Sequence, residues 1–128
     1  MVVDSSALVA ILREEPGHEP LLQKALLADR IVVGTSVMFE TAMVLSGRWN
    51  RDARSTLHGL LRTIGAEIVP FTEEHYEAAL SAFLRYGKGR HPAGLNFGDC
   101  MSYALARVSG LPLLYIGDDF SKTDVQAA

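Results

Sequence analysis

Four places in the chain hold a carboxylate where packing alone does not demand one. Asp4 directly follows the apolar start Met1–Val3. Glu40 is the only charged residue from Thr35 to Gly47, amid Val37, Met38, Phe39, Ala42, Met43, Val44 and Leu45. Val37 and Val44 fall on its own face of a helix. Asp99 closes the spacing Asn96-x-x-Asp99, and Asp118 and Asp119 follow Gly117. Each has an ordinary structural reading. Asp4 can cap a helix starting at Ser5, and Glu40 can face water on an apolar-rich helix. Asn96 and Asp99 can form a capping pair. Asp118 and Asp119 can be turn residues, with Asp119 capping a short turn through Lys122. Gathered in one crevice, these acids would repel one another and resist full ionisation. A divalent cation resolves that conflict. All-oxygen ligation points to magnesium or manganese, and the four histidines show no zinc spacing. Such a cation can orient a water, lower its pKa and stabilise charge on a phosphodiester oxygen. No residue reads as a covalent nucleophile with a paired base.

The elements that must position these acids are legible as alternating strands and helices. Leu95 to Phe120 reads as a helix, a turn and a buried strand. Asn96 caps the helix, Met101, Ala104, Leu105 and Val108 form its apolar stripe, Ser109-Gly110 stops it, and Pro112–Ile116 is the strand. Upstream, a strand at Met1–Val3 leads to a helix over Ser5–Glu15, with Leu8, Val9, Ile11 and Leu12 inward. A second helix spans His18–Ala28 on Leu21, Leu22, Ala25 and Leu26, and a strand spans Ile31–Val33. A third helix runs from Ser36 to Leu45 and ends at Gly47; a fourth covers Asp52–Ile64 on Leu57, Leu60, Leu61 and Ile64. A strand at Ala66–Val69 precedes a fifth helix, Thr72–Tyr86, packed by Tyr76, Ala79, Leu80 and Phe83. Val125–Ala128 reads as a loose tail. The alternation predicts an α/β fold with a doubly wound, mostly parallel sheet. The carboxyl edge of such a sheet is where sites form, and all four acid positions can face it.

At 128 residues the chain predicts one domain, residues 1–128, with no repeats or internal boundary. Apolar residues make up 48%, which argues against disorder, and no segment has the length for a membrane span. A single cysteine, Cys100, excludes an internal disulfide and fits a reducing, cytoplasmic setting; it reads as a small buried helix residue. The net charge of −3 argues against a generally basic coat, although clustered acids would hide a local basic surface. The loop Lys88-Gly89-Arg90-His91 is the candidate for holding phosphates through Lys88 and Arg90. It is equally readable as a solvated connection between helices. Arg48, Arg51 and Lys122 are weaker candidates, and Trp49 reads as a core or edge residue or as an interface residue. A phosphoacceptor receiver domain would need an acidic pair after the first strand, where Asp4 stands alone. An aspartyl-nucleophile phosphatase would need an acid at the position of Ser6.

Asp4-Ser5-Ser6-Ala7-Leu8, Glu40, Asn96-x-x-Asp99 and Gly117-Asp118-Asp119-Phe120, in that order, resemble the PIN-domain nucleases, and among them the VapC-type toxins of bacterial toxin–antitoxin pairs. The resemblance extends over essentially the whole chain. It implies a PIN-like three-layer α/β/α sandwich and an endoribonuclease that needs magnesium or manganese. Asp4, Glu40 and Asp99 would be the acidic ligands and Asp119 the fourth, with Asp118 able to share that role. Ser6 matches the family's small hydroxyl residue beside the first acid, bonding a ligand or a phosphate. Many members carry threonine where Ser5 stands. The family also implies a homodimer, silenced by a cognate antitoxin whose tail blocks the acidic crevice. The rival class is a non-catalytic PIN-fold module that binds RNA or protein.

Overall fold

Four short parallel strands form the centre of the computed structural model, which describes residues 1–128: β1 (Val2–Val3), β2 (Val32–Gly34), β3 (Glu67–Val69) and β4 (Leu113–Leu114). Their order is β3-β2-β1-β4, with Val2 opposite both Val32 and Leu113. Alternation of side chains splits the core in two. Val3, Val33 and Leu114 face a layer containing α1 (Ser5–Leu12), α2 (His18–Leu27) and α4 (Arg54–Thr63). Val2, Val32 and Leu113 face the opposite layer, α5 (Glu73–Tyr86) and α6 (Phe97–Ser109). A three-layer α/β/α sandwich results. α3 (Thr35–Trp49) follows β2 directly and touches both α1 and α6. The chain moves one way across the sheet from β1 to β2 and β3, then returns to place β4 on the other side of β1. That reversal opens a crevice beyond the carboxyl ends of β1 and β4.

Several element boundaries differ from expectation, each for a physical reason. α3 does not stop at Gly47. That glycine has open space around it, and the helix continues to Trp49, where Asn50 takes the left-handed turn at φ 50°. Nor is α3 buried all round: Val37, Thr41 and Leu45 form its core stripe, whereas Phe39 and Met43 are exposed. α5 buries His75, Ala82 and Tyr86. The expected stripe of Tyr76, Leu80 and Phe83 is partly exposed instead, along an apolar trough shared with Phe71, Phe97, Cys100 and Met101. Leu26 of α2 also faces water. His75 is buried because its ring closes a capping box, Nδ1 accepting from the Thr72 backbone N–H at 3.1 Å. α6 is buried continuously from Ser102 to Ala106, broader than a single stripe, because it lies between the sheet and α5.

The tail is not loose. The Leu113 N–H donates to the Gln126 carbonyl at 2.8 Å and the Ala128 N–H to the Leu113 carbonyl at 2.9 Å, so the tail runs parallel along β4. Tyr103 and Arg85 hold Asp124 at 2.6 and 3.1 Å, just upstream. At the opposite edge, β3 is exposed and blunted by the Glu67–Arg30 ion pair. No helix is long and apolar enough to cross a membrane.

Candidate active site

Asp4 ends β1 because its backbone N–H makes the last bond to β4, donating to the Leu114 carbonyl at 2.9 Å. The backbone then turns into α1, which leaves the Asp4 side chain at the carboxyl edge of the sheet. It is an N-cap, as local sequence allows, but that role engages only one oxygen. Oδ2 accepts from the Ser6 N–H at 2.9 Å and from Ser6 Oγ at 2.6 Å. Oδ1 accepts from the hydroxyl of Ser102, across a sequence distance of 98 residues. Asp4 is 2% exposed and Ser102 fully buried, so the carboxylate is held from both ends. Ser6 Oγ in turn accepts from the Ile116 N–H at 3.1 Å, tying the segment after β4 to the start of α1. The Ser6 hydroxyl is therefore engaged with the acid and the backbone, which fits orienting Asp4 better than contacting a phosphate.

Asp99 and Glu40 approach from other elements. Asn96 and Asp99 form the expected capping box: the Asp99 N–H donates to Asn96 Oδ1 and the Asn96 N–H to Asp99 Oδ2, both at 2.9 Å. Asp99 Oδ2 is thus fixed, while Oδ1 receives no hydrogen bond from the protein. Burial pushes its pKa up to about 6, against the opposing Asn96 bond; Asp4, Asp119 and Glu40 push the same way. Glu40, half-buried on α3, is also raised, first by burial and then by Asp4, with Ser5 countering. Its carboxylate lies directly on the α-carbon of Gly98. The mutual influence of Asp4, Glu40, Asp99 and Asp119 places them in one electrostatic neighbourhood.

The segment after β4 separates the two remaining acids. Asp119 precedes a single 3₁₀ turn, Phe120–Lys122, without capping it through its side chain, so its carboxylate stays free. Asp119 is among the charges that raise Asp99, and the Asp118 backbone carbonyl accepts from Ser121 Oγ at 2.6 Å. Both are exposed.

None of the four acids has a Lys, Arg or His partner: the ion pairs are Arg13–Glu15, Arg30–Glu67, Arg54–Asp52 and Arg85–Asp124. Nor do three of them converge into a ready-made cage. Hard carboxylate oxygens without a cationic partner are the donor type that magnesium takes, and magnesium keeps several waters and uses few direct protein ligands. Lys88 and Arg90 are exposed on the loop that enters α6, Arg90 lying over the Phe83 ring at 5.4 Å. That loop is pinned at its base by the Lys88 N–H to the Leu95 carbonyl at 3.0 Å, just ahead of α6 in the chain. The buried site residue that sequence reasoning passes over is Ser102. Its one signal is a hydroxyl three residues after Asp99, within an apolar stretch.

Comparison with known proteins identifies the family. A family model of the PIN domain matches residues 1–126. A protein of Mycolicibacterium smegmatis named Ribonuclease VapC is 47% identical over 128 residues, covering 99% of this chain and 98% of that one. Ribonuclease VapC36 of Mycobacterium tuberculosis is 45% identical over 127 residues, covering 98% and 91%. Among solved structures, Mycobacterium tuberculosis VapC20, described as a sarcin-ricin-loop-cleaving toxin, superposes with a TM-score of 0.79 at 19% identity over 99% of this chain and 97% of that one. A toxin–antitoxin complex from Klebsiella pneumoniae superposes at 0.72 and 14%, over 99% and 95%. Matched along nearly its whole length, with its four acids at the crevice of the sheet, the chain belongs to the PIN-domain family, in the company of the VapC ribonucleases.

Proposed function

We propose that this chain is a metal-dependent endoribonuclease, the toxin of a toxin–antitoxin pair, built as a single domain over residues 1–128 and acting in the cytoplasm. The observation that carries the reading is the set of four carboxylates without a cationic partner, drawn from four separate elements to one crevice. Asp4, Asp99 and Asp119 would hold magnesium or manganese directly or through waters, with Asp118 a lesser candidate. When bound, the cation supplies neutralising charge and a more acidic water. Asp4 is suited to a fixed role because Ser6 and Ser102 immobilise it. Glu40, raised by burial, is suited to accept a proton from the attacking water or to complete the ligand set. Lys88 and Arg90 bind the RNA backbone. The apolar surface of Phe39, Met43, Phe97 and Met101 beside Glu40 supports association with a second copy or an antitoxin, as does the likeness to a toxin–antitoxin complex. A homodimer silenced by an antitoxin that covers the acids is the corresponding assembly.

The deciding experiment treats total cellular RNA with the purified protein in magnesium, manganese or chelator, beside Asp4→Asn. Asparagine keeps an N-cap oxygen for the Ser6 N–H and turns an amide donor toward the Ser102 hydroxyl, which can rotate to accept, and a thermal melt checks that the variant is folded. Discrete, metal-dependent fragments that vanish with the variant are expected, and their ends name the target. Folded, antitoxin-free protein that cuts no RNA would instead make the chain a non-catalytic binding module.

A further inference from the structure

Three glycines lie inside helices, at positions 47, 59 and 98. Around Gly47 and Gly59 nothing stands within 4 Å of where a β-carbon would be. Gly98 is different. A β-carbon there would stand 2.5 Å from Glu40 Oε2 and 2.7 Å from its carboxyl carbon, inside any real contact distance. The backbone does not ask for glycine, since Gly98 is not among the residues with positive φ. Glycine is also a poor helix former, so α6 gains nothing by having it. What the missing side chain provides is room for the Glu40 carboxylate.

We propose that Gly98 is a positioning residue whose bare α-carbon seats the Glu40 carboxylate against the first turn of α6, one residue before Asp99. The inference rests on the reading of Glu40 as a working member of the acid set. The object in the way is the far end of a flexible side chain: the three atoms nearest to that β-carbon all belong to the Glu40 carboxyl group. An added methyl therefore displaces the acid and leaves the fold intact. The seat also places a carboxylate at the positive end of the α6 dipole, which favours an anion there. Two acids from different elements, Glu40 and Asp99, are thereby held on adjacent residues of one rigid helix turn.

The test is a double-mutant cycle of Gly98→Ala and Glu40→Ala, read by manganese titration calorimetry, by melting of the metal-free proteins and by RNA cleavage. Gly98→Ala is expected to weaken manganese binding by about tenfold or more, to slow cleavage in parallel, and not to lower the melting temperature. In the Glu40→Ala background the same change should cost no further affinity and should raise the melting temperature, since alanine favours the helix once the carboxylate is gone. Wild-type affinity and cleavage in Gly98→Ala, with both reduced in Glu40→Ala, would overturn the proposal and leave the metal-dependent nuclease standing. Equal destabilisation by Gly98→Ala in both backgrounds would overturn it as well, because the effect would then belong to the helix. Wild-type behaviour of Glu40→Ala would overturn it together with the role of Glu40, while the Asp4→Asn assay would still decide the nuclease itself.

Discussion

A carboxyl group held near pKa 6 is unstable ground in a folded protein. The unfolded Asp99 loses its proton near its ordinary pKa of 3.8, whereas in the fold it does so near 6. Between these values the folded state binds more protons, so stability of the metal-free protein falls as pH rises from about 4 to about 6 and is level above. Asp99→Asn removes that penalty while Asn Oδ1 still accepts from the Asn96 N–H. Thermal melts in chelator should show Asp99→Asn at least as stable as wild type at pH 8, with a flatter profile below pH 6 and no cleavage. A variant that cuts RNA at the wild-type rate would remove Asp99 from the site. Manganese affinity should rise with pH through about 6, because the cation competes with that proton; titrations at pH 5 and 7 that agree would contradict it. Ser102 makes a second case. Ser102→Ala leaves buried Asp4 Oδ1 without its donor, at a cost of about 1–3 kcal/mol, and frees the carboxylate to rotate. Denaturant unfolding and cleavage should both drop, and unchanged unfolding would mean that water replaces the hydroxyl. The acids were legible in the sequence because charge in apolar company is conspicuous. Ser102 and Gly98 were not, because their importance lies in what packs on them from β1 and α3, remote in the chain.

At the scale of elements, local signals set the strands, caps and helix starts, while pairings at the edges escaped them. Asn96 with Asp99 and Gly110 at φ 66° bound α6 where sequence rules place its ends. The apolar stripe of α5 was correctly periodic, yet periodicity cannot say whether a face meets the sheet or an open trough. Gly47 does not stop α3, because an isolated glycine on an exposed helix face is tolerated. The tail escaped because Val125-Gln126-Ala127-Ala128 has no strand alternation; its order comes from bonding the free edge of β4 and from Val125 and Ala128 touching the two cores. This tail has consequences for the site, since β4 is two residues long and Asp119 lies just beyond it. Truncation after Asp124 removes two backbone bonds to Leu113, worth about 2 kcal/mol together. Hydrogen exchange at the Leu113 amide should accelerate by orders of magnitude and cleavage should fall with it. A Leu113 amide that stays protected would show that β1 alone secures β4.

For the molecule as a whole, a negatively charged protein must still attract a polyanion. The formal charge is −3, and setting aside Asp4, Glu40, Asp99 and Asp119 leaves +1. A divalent cation among the acids would offset two of those four charges and lessen the repulsion of phosphate, leaving basic residues elsewhere on the surface to supply the remaining attraction. Arg30, Arg54, Arg85 and Arg13 are committed to ion pairs, whereas Lys88 and Arg90 have no acidic partner and stand exposed on the loop entering α6. Replacing Lys88 and Arg90 with glutamine should leave the fold unchanged, since neither side chain is buried. If each neutralises one phosphate, binding of single-stranded RNA to the cleavage-dead Asp99→Asn protein should lose about 1.4 from the slope of log affinity against log salt. Cleavage at saturating RNA should change little while the KM rises, because the lost contacts bind without reacting. An unchanged salt slope would move the RNA path to Arg48, Arg51 or Lys122, and a collapse of turnover at saturation would place the loop among the reacting groups.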